Sequence, residues 1–590
     1  MHFISNNQAR PPNQATDWAA NIWYWTVALT LAGLALGRAH SLTWLSDDSY
    51  ASFRYADNWA RGIGLVFNAK ERVEGITNPL WTLILGLLAR GGFNIEKASI
   101  ALGIGAYVTC VVLLTLVSPR TSRDPAITRR LVPIAALIAV ADTDWATFAT
   151  GGLETSLFSI SVLASFVLAW WSRNLVVAGV TAGIAVSTTA MLRPDGALFV
   201  PALALSFWGS RRRGLLPYGV TCFLLLAAFH GWRRVYYGDW IPNTYYAKSA
   251  FASWWSQGFS YLGYFAWRQC AVVAVALSAS LMVASRLARR LRTIEIRQRD
   301  NFSNVAREQA WQLFVAWAMI LIYTLSVVRV GGDFMYARLL VPVVPLLAMA
   351  AELSLRLVIP ARPMLLGIAG LGIAVLTFVM PCPVDTDITS HSGIVDERAY
   401  YQLGFTDVVE RNAEHLSSCI AGFPVRAAIY GGELRLAYRA RFPYAIEAHA
   451  GLTDAYTAHR PLISRHRVGH EKSADARYLV LIQKAHFATS PLYAILSDPN
   501  GFIPDIHADL CGVDVRLLHW DPAFVEYVKA RGARVPDYPA WLDQVLARLD
   551  FMPDDWVRRQ WEQAEHFYFS HVSDQSRSRV FATRLRLTRR

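Results

Sequence analysis

From residue 21 to residue 380 the chain runs in apolar blocks of roughly 15 to 25 residues separated by short polar stretches, and no block of that length follows. Such a block matches a ~30 Å hydrocarbon core at ~1.5 Å rise per helical residue. The blocks lie at about 22–40, 97–118, 131–149, 153–172, 174–191, 195–209, 214–231, 261–285, 311–330, 338–355 and 363–381. The pattern predicts a polytopic α-helical membrane protein with about eleven transmembrane helices over residues 1–381. Residues 382–590 have ordinary globular composition. There the runs 427–430 and 476–482 read as strands and 541–549 as a helix, which predicts a mixed α/β domain.

The polar stretches alternate in chemistry. One set is rich in arginine: Arg120, Arg123, Arg129 and Arg130; Arg173; Arg211 to Arg213; seven arginines from Arg286 to Arg307; then Arg356 and Arg362. By the positive-inside rule these face the cytoplasm. With the N-terminus inside, eleven crossings put the C-terminal domain outside, in the periplasm of a bacterial inner membrane. The segment 79–90 is apolar but has about twelve residues, too few to span. Counting it would place every later arginine cluster on the wrong side, so it is expected to lie at the outer interface. Of the 590 residues 54% are hydrophobic and 17% charged, and the net charge is +13. Because the arginines account for that excess, nucleic acid is not an expected partner. No cleavable signal peptide is apparent, so the first block is expected to stay as a helix.

The other set of loops, all on the outer side, carries acids and bases at helix ends beside Gly or Pro. The first loop opens with Asp47-Asp48, continues through Arg54, and reaches Glu74 and Asn78. The rest hold Glu154, Arg193 with Asp195, Tyr236 to Lys248 (with Asp239 and Asn243), and Asp333 with Arg338. Asp is also a common helix N-cap, and Arg or Lys near a helix end also snorkels to headgroups. Five such clusters on one face nevertheless point to a shared wet cavity, because polar groups at membrane depth are costly unless paired or solvated. Carboxylates there suit deprotonation of a hydroxyl or a divalent cation; Arg and Lys suit a phosphate. Aromatic residues of these loops, among them Trp59, Trp81, Tyr236, Tyr237, Trp240, Tyr245 and Tyr246, offer flat faces for sugars. No Walker A or dinucleotide fingerprint occurs, which points to a lipid-borne rather than nucleotide donor.

At these residues the chain resembles the GT-C superfamily of glycosyltransferases that use polyprenyl-phosphate sugars, and within it the mycobacterial terminal β-(1→2)-arabinofuranosyltransferase family. The resemblance rests on DDSYASFRYADN (47–58), GLVFNAKERVEGITNPLWT (64–82), TGGLETSLF (150–158), RPDGALF (193–199), YYGDWIPNTYYAK (236–248) and GGDFMYARLLVP (331–342). It continues through GIVDERAYY (393–401), GLTDAY (451–456) and VGHEK (468–472). It implies a GT-C fold with juxtamembrane helices, a polyprenyl-phosphate donor, and a cell-envelope glycan acceptor at the outer face. Arabinofuranose is the favoured sugar. Asp47 and Asp48 match the catalytic acids. Arg193, Lys248, Arg338, Tyr236 and Asn243 are candidates for the donor phosphate; Arg54, Glu74, Asn78, Glu154, Asp195, Asp239 and Asp333 are candidates for acceptor binding or support. Inversion and retention both stay open, as does a divalent cation, since no His or Cys cluster has ligand spacing.

The tryptophans and tyrosines of residues 382–590 fit either core packing or carbohydrate binding. Cys110, Cys222 and Cys270 fall in helices, where they act as small hydrophobes. Cys382, Cys419 and Cys511 fall outside; Cys419 with Cys511 is a candidate bridge that the odd count does not demand. A monomer is expected. The competing expectations are hexose transfer to another envelope glycan or protein, a transporter or flippase, and a non-catalytic envelope scaffold. Against transport, the charges cluster at the outer ends and no internal repeat is seen.

Overall fold

The computed structural model describes residues 14–118, 132–293, 304–359, 362–387, 393–430, 432–489 and 501–585. Arg120, Arg123, Arg129, Arg130, Arg297, Arg299 and the basic residues 586–590 lie outside the described residues. Each apolar block is helical. Among the described residues, five helices are long and apolar enough to cross a membrane: Ile95–Val117, Leu175–Leu192, Gly209–Tyr237, Arg307–Val330 and Val341–Val358. A sixth span results if the bent pair Trp255–Arg268 and Cys270–Arg286 is one crossing. Shorter apolar helices include Thr155–Trp171, Pro194–Phe207 and Pro363–Val379. The molecule is thus a helical membrane protein that also carries a small sheet.

Two blocks expected as single helices are interrupted. The block at 131–149 divides into Ile134–Ala141 and Thr143–Phe148, because Asp142 between them accepts the amide of Trp145 at 2.8 Å and caps the second piece. The block at 261–285 turns through 91° at Gln269. There the Gln269 amide donates to Asp142 at 2.6 Å, and Arg268 faces Asp144 at 3.7 Å. One buried polar cluster therefore accounts for both breaks. Hydropathy windows average over such residues, which is why the sequence pattern does not reveal them.

The loop expected on the outer side folds into two helices, α2 (Ser49–Ala60) and α3 (Pro79–Arg90), set between α1 (Gln14–Ser41) and α4 (Ile95–Val117). At twelve residues, α3 reaches only roughly 18 Å. It lies against α2 through Gly86, where a Cβ would meet the Trp59 ring at 2.6 Å.

The C-terminal part holds a five-stranded sheet in the order β2-β1-β3-β5-β4. Its strands are β1 (Arg426–Ile429), β2 (Tyr444–Glu447), β3 (Phe487–Thr489), β4 (His507–Leu510) and β5 (Val513–Leu517). β1 runs parallel to β2 and β3, with Ala427 opposite Ala445, and β5 runs antiparallel to β3 and β4. The run 476–482 is not a strand: Tyr478–Ile482 is a helical turn, capped by Asp475, which accepts the Tyr478 amide at 2.8 Å. A short continuous apolar run has no period to tell the two apart. Cys419 and Cys511 form a disulfide across 92 residues of sequence.

This part is stitched to the loops between the apolar helices by buried polar contacts. The Arg54 guanidinium donates to the carbonyls of Phe67, Ala437 and Phe442. Asn68 exchanges two hydrogen bonds with the backbone of Ala445. The Asn243 amide donates to the carbonyls of Gly451 and Leu452 at 3.0 and 2.8 Å, and the Lys472 ammonium donates to Tyr246 and Ala458.

Candidate active site

Where α1 ends, the chain turns and meets α2 at Asp47 and Asp48, and the two carboxylates point to different partners. Asp47 accepts the amides of Leu434 and Arg435 at 3.0 and 2.9 Å, at the start of the short helix Leu434–Arg439. Its own amide donates to the Tyr401 hydroxyl, which in turn donates to Glu397. Burial pushes the Asp47 carboxyl up to about 7, against the pull of those two amides. Asp48 instead accepts from Arg338 at 3.0 Å. Burial would raise its carboxyl, but Arg338, then Lys248 and His470, hold it below the ordinary value.

Asp48 lines a small cleft of about 30 Å³ with Ser52, Asn78, Thr244, Lys248 and Arg338. Arg338 follows the turn Gly331-Gly332, whose φ angles of 97° and 75° favour glycine, and Ala337, held at φ 63°. Its guanidinium also reaches Asp333 at 3.5 Å. The Lys248 ammonium has no hydrogen bond or ion pair among the described residues. It enters the cleft from the segment Asn243–Ala247.

Beside the cleft runs a chain of buried polar contacts. Ser52 and Thr82 donate to the Asn78 carbonyl oxygen, and the Asn78 amide donates to Glu154 at 2.6 Å. Glu154 then pairs with Arg193 at 2.9 Å, and Arg193 pairs with Asp195 through two donors. Asp195 also accepts from Tyr323. Every edge of the Arg193 fork therefore faces a carboxylate, so it orients Glu154 and Asn78 and is not itself on the cleft wall.

The remaining residues expected at the site lie elsewhere. Arg54 and Asn243 hold the C-terminal part, as described above. Glu74 pairs with Arg233 at 2.7 Å, and burial pushes its carboxyl up to about 7. Tyr236 accepts the Leu65 amide and stacks under Arg72. Asp239 caps its own turn at Trp240 and accepts from Tyr246. Thus Asp48, Asn78, Lys248 and Arg338 meet at the cleft, with Asp333, Glu154, Arg193 and Asp195 directly behind them.

Residues after 381 also reach the centre. Leu452 lines the cleft. His470 turns its ring edge-on to Phe334 at 4.8 Å, and its Nδ1–H donates to the Val468 carbonyl. Burial, then Arg467, push the imidazole down to about 4, so it is neutral near pH 7. Nothing in residue type or spacing marks these positions. The signal that reaches them is the motif VGHEK (468–472), for which the sequence suggests no role.

The chain is 31% identical over 409 residues to the terminal β-(1→2)-arabinofuranosyltransferase of Mycobacterium tuberculosis. It is 26% identical over 382 residues to the protein of that name from Corynebacterium glutamicum. These matches take in 61% and 60% of this chain. The chain spans 62% and 54% of the relatives' own lengths. No family model matches the chain. No solved structure matches it. The sequence thereby stands as a relative of the terminal β-(1→2)-arabinofuranosyltransferases of these two bacteria.

Proposed function

We propose that the chain is a membrane glycosyltransferase of GT-C fold that moves arabinofuranose from a polyprenyl-phosphate donor to a cell-envelope glycan. The reaction takes place at the outer face of the inner membrane. In this reading the bent pair Trp255–Arg268 and Cys270–Thr293 is one crossing of eleven. Residues 1–381 form the catalytic membrane domain, residues 382–590 form a periplasmic domain, and the protein works as a monomer. The observation that carries the reading is the meeting of Asp48, Arg338 and Lys248 in one cleft of a chain similar to two enzymes named for this transfer.

Asp48 takes the proton of the acceptor hydroxyl, whose oxygen attacks the anomeric carbon. The bond from that carbon to the phosphate oxygen breaks, and the phosphate leaves with the electron pair. Arg338 and Lys248 balance the charge it gains. The Glu154–Arg193–Asp195 chain holds Asn78 against the cleft. A divalent cation does not fit these donors: both Asp47 oxygens already accept amides, and Asp48 faces two cations. The acceptor's inner sugars have a place in the groove of about 390 Å³ between the first outer loop and the C-terminal part, lined by Asn58, Tyr438 and Arg439.

The test is transfer by the full chain in nanodiscs from polyprenyl-phosphate arabinofuranose to a short α-arabinofuranosyl acceptor. Product formed by the wild type and lost in Asp48→Ala supports the reading; transfer only from polyprenyl-phosphate hexoses replaces the sugar. A folded protein inactive with every such donor overturns it.

A further inference from the structure

The helix Trp255–Arg268 carries two different faces. Gly258, Tyr261, Phe265 and Arg268 are buried. Trp255, Phe259 and Trp267 stand 45%, 58% and 58% exposed. With the exposed Gly263 they recur every four residues, so they form one stripe along the helix. Such a stripe calls for a neighbour of matching chemistry, because a surface facing water rarely carries large apolar groups in a row.

Both ends of this helix rest on the ends of other apolar helices. Gly258 leaves no room for a Cβ against the Val328 carbonyl, and the Trp254 amide donates to the Arg329 carbonyl at 2.7 Å. Both carbonyls belong to the last turn of the spanning helix Arg307–Val330. At the other end the Arg268 guanidinium donates to the Met380 carbonyl, one residue past the apolar helix Pro363–Val379. The helix therefore bridges two helix ends instead of running down beside them. It also stands at 91° to Cys270–Arg286, so where that arm crosses, this one runs along the membrane plane. Its fourteen residues reach roughly 21 Å. Exposed aromatic side chains, tryptophan above all, settle where headgroups meet hydrocarbon.

We propose that the Trp255–Phe259–Trp267 stripe is a lipid-docking surface, seated in the headgroup boundary of the leaflet beside the cleft, and that only the Cys270–Arg286 arm passes through the bilayer. This rests on the membrane reading given above and deepens it. The buried face gives the seat its consequence. There the Tyr261 ring packs under Gly332. Its hydroxyl donates to the Met335 carbonyl at 3.1 Å and accepts the Leu339 amide at 3.0 Å. The turn that bears Asp333 and Arg338 thus stands on this helix, and the bilayer surface sets the height of the turn.

The experiment places one nitroxide at a time on the full chain in nanodiscs, through Trp255→Cys, Phe259→Cys, Gly263→Cys and Trp267→Cys. The background has the four free cysteines replaced by Ala and keeps the disulfide. Collision with dissolved oxygen, set against collision with a water-soluble nickel chelate, gives the depth of each label. The four labels are expected at one common depth, within about 5–10 Å of the headgroup boundary. Labels at Leu277→Cys and Leu281→Cys, exposed on the crossing arm, are expected deeper. A depth that changes steadily by roughly 18 Å from residue 255 to residue 267, as a transverse helix requires, overturns the proposal. So do labels that the chelate reaches as freely as in water, and labels shielded from both reagents as under a second protein. Ser256→Cys and Ser260→Cys, exposed beside the stripe, replace any label that lowers the melting temperature and are judged by the same depths. If the labels share the boundary depth while the wild type transfers no sugar, the surface stands and the reading of the reaction falls.

Discussion

Asp47 gives both oxygens to backbone amides of the C-terminal part, whereas Asp48 meets Arg338 and faces open space. The same substitution is therefore expected to act differently at neighbouring positions. Asp48→Asn should lower the transfer rate by at least 10²-fold while the melting temperature holds, since in the proposed reaction the group lost takes the proton of the acceptor hydroxyl. Asp47→Ala should lower the melting temperature first, removing two hydrogen bonds to a charged group at about 1.5–3 kcal/mol each. Parallel rate and thermal-melt measurements on both variants separate the roles. Burial pushes Asp47, Glu74 and Glu433 each up to about 7. A carboxyl raised in the fold stabilises it below its unfolded value and loses that contribution as pH climbs through the folded one. Thermal unfolding should accordingly show a higher midpoint near pH 5 than near pH 8, and Glu433→Gln should flatten the difference. At this scale the sequence told a partial story. The acidic pair, Lys248 and Arg338 stood out because such residues are rare next to apolar blocks, and Asp48, Lys248 and Arg338 do meet at one cleft. The different partners of Asp47 and Asp48 were not legible, because they depend on which amides arrive from almost 390 residues away.

Among the elements, the helices were visible from hydropathy, but their breaks at Asp142 and Gln269 and the helical turn at Tyr478–Ile482 were not. A break needs a polar partner from another element, and a short apolar run carries no period. The turn at Gly331-Gly332 sets the direction of Asp333 and Arg338. At Gly332 a Cβ would stand 2.4 Å from the Tyr261 ring with φ at 75°. Gly332→Ala should cost about 1–3 kcal/mol in unfolding and abolish most transfer, because the displaced turn carries Arg338 with it. Urea unfolding and the transfer assay, run on the same preparation, check both halves. The disulfide closes 92 residues, joining the helix Thr406–Ile420 to the β4–β5 turn. Replacing Cys419 and Cys511 by Ser should destabilise the C-terminal part by roughly 2–5 kcal/mol, read as a lower melting point that reductant no longer shifts.

For the whole molecule, the arrangement of apolar helices and outer contacts yields a topology that a labelling experiment can check. In intact cells, a membrane-impermeant maleimide should modify a cysteine placed at Arg577 and spare one placed at Arg212. The reverse pattern would turn the molecule over and remove the outer-face reading. The order of apolar helices first and a small sheet after was legible because composition changes abruptly near residue 381. That the last part reaches back to line the cleft at Leu452 and to set His470 against Phe334 was not, since both look like any loop residues until the chain is folded.

The pairing of Asp47 with the helix Leu434–Arg439 has a mechanical side. Consecutive Cα atoms stand about 3.8 Å apart along a trans chain, so the residue that fastens the C-terminal part and the carboxylate at the cleft are neighbours on one short lever. Lifting that domain cannot leave Asp48 in place: either Asp47 lets go of its two amides, or the lever follows. A pull on that part is therefore felt at Asp48 across a single peptide link, and detachment and displacement of that carboxylate become one event.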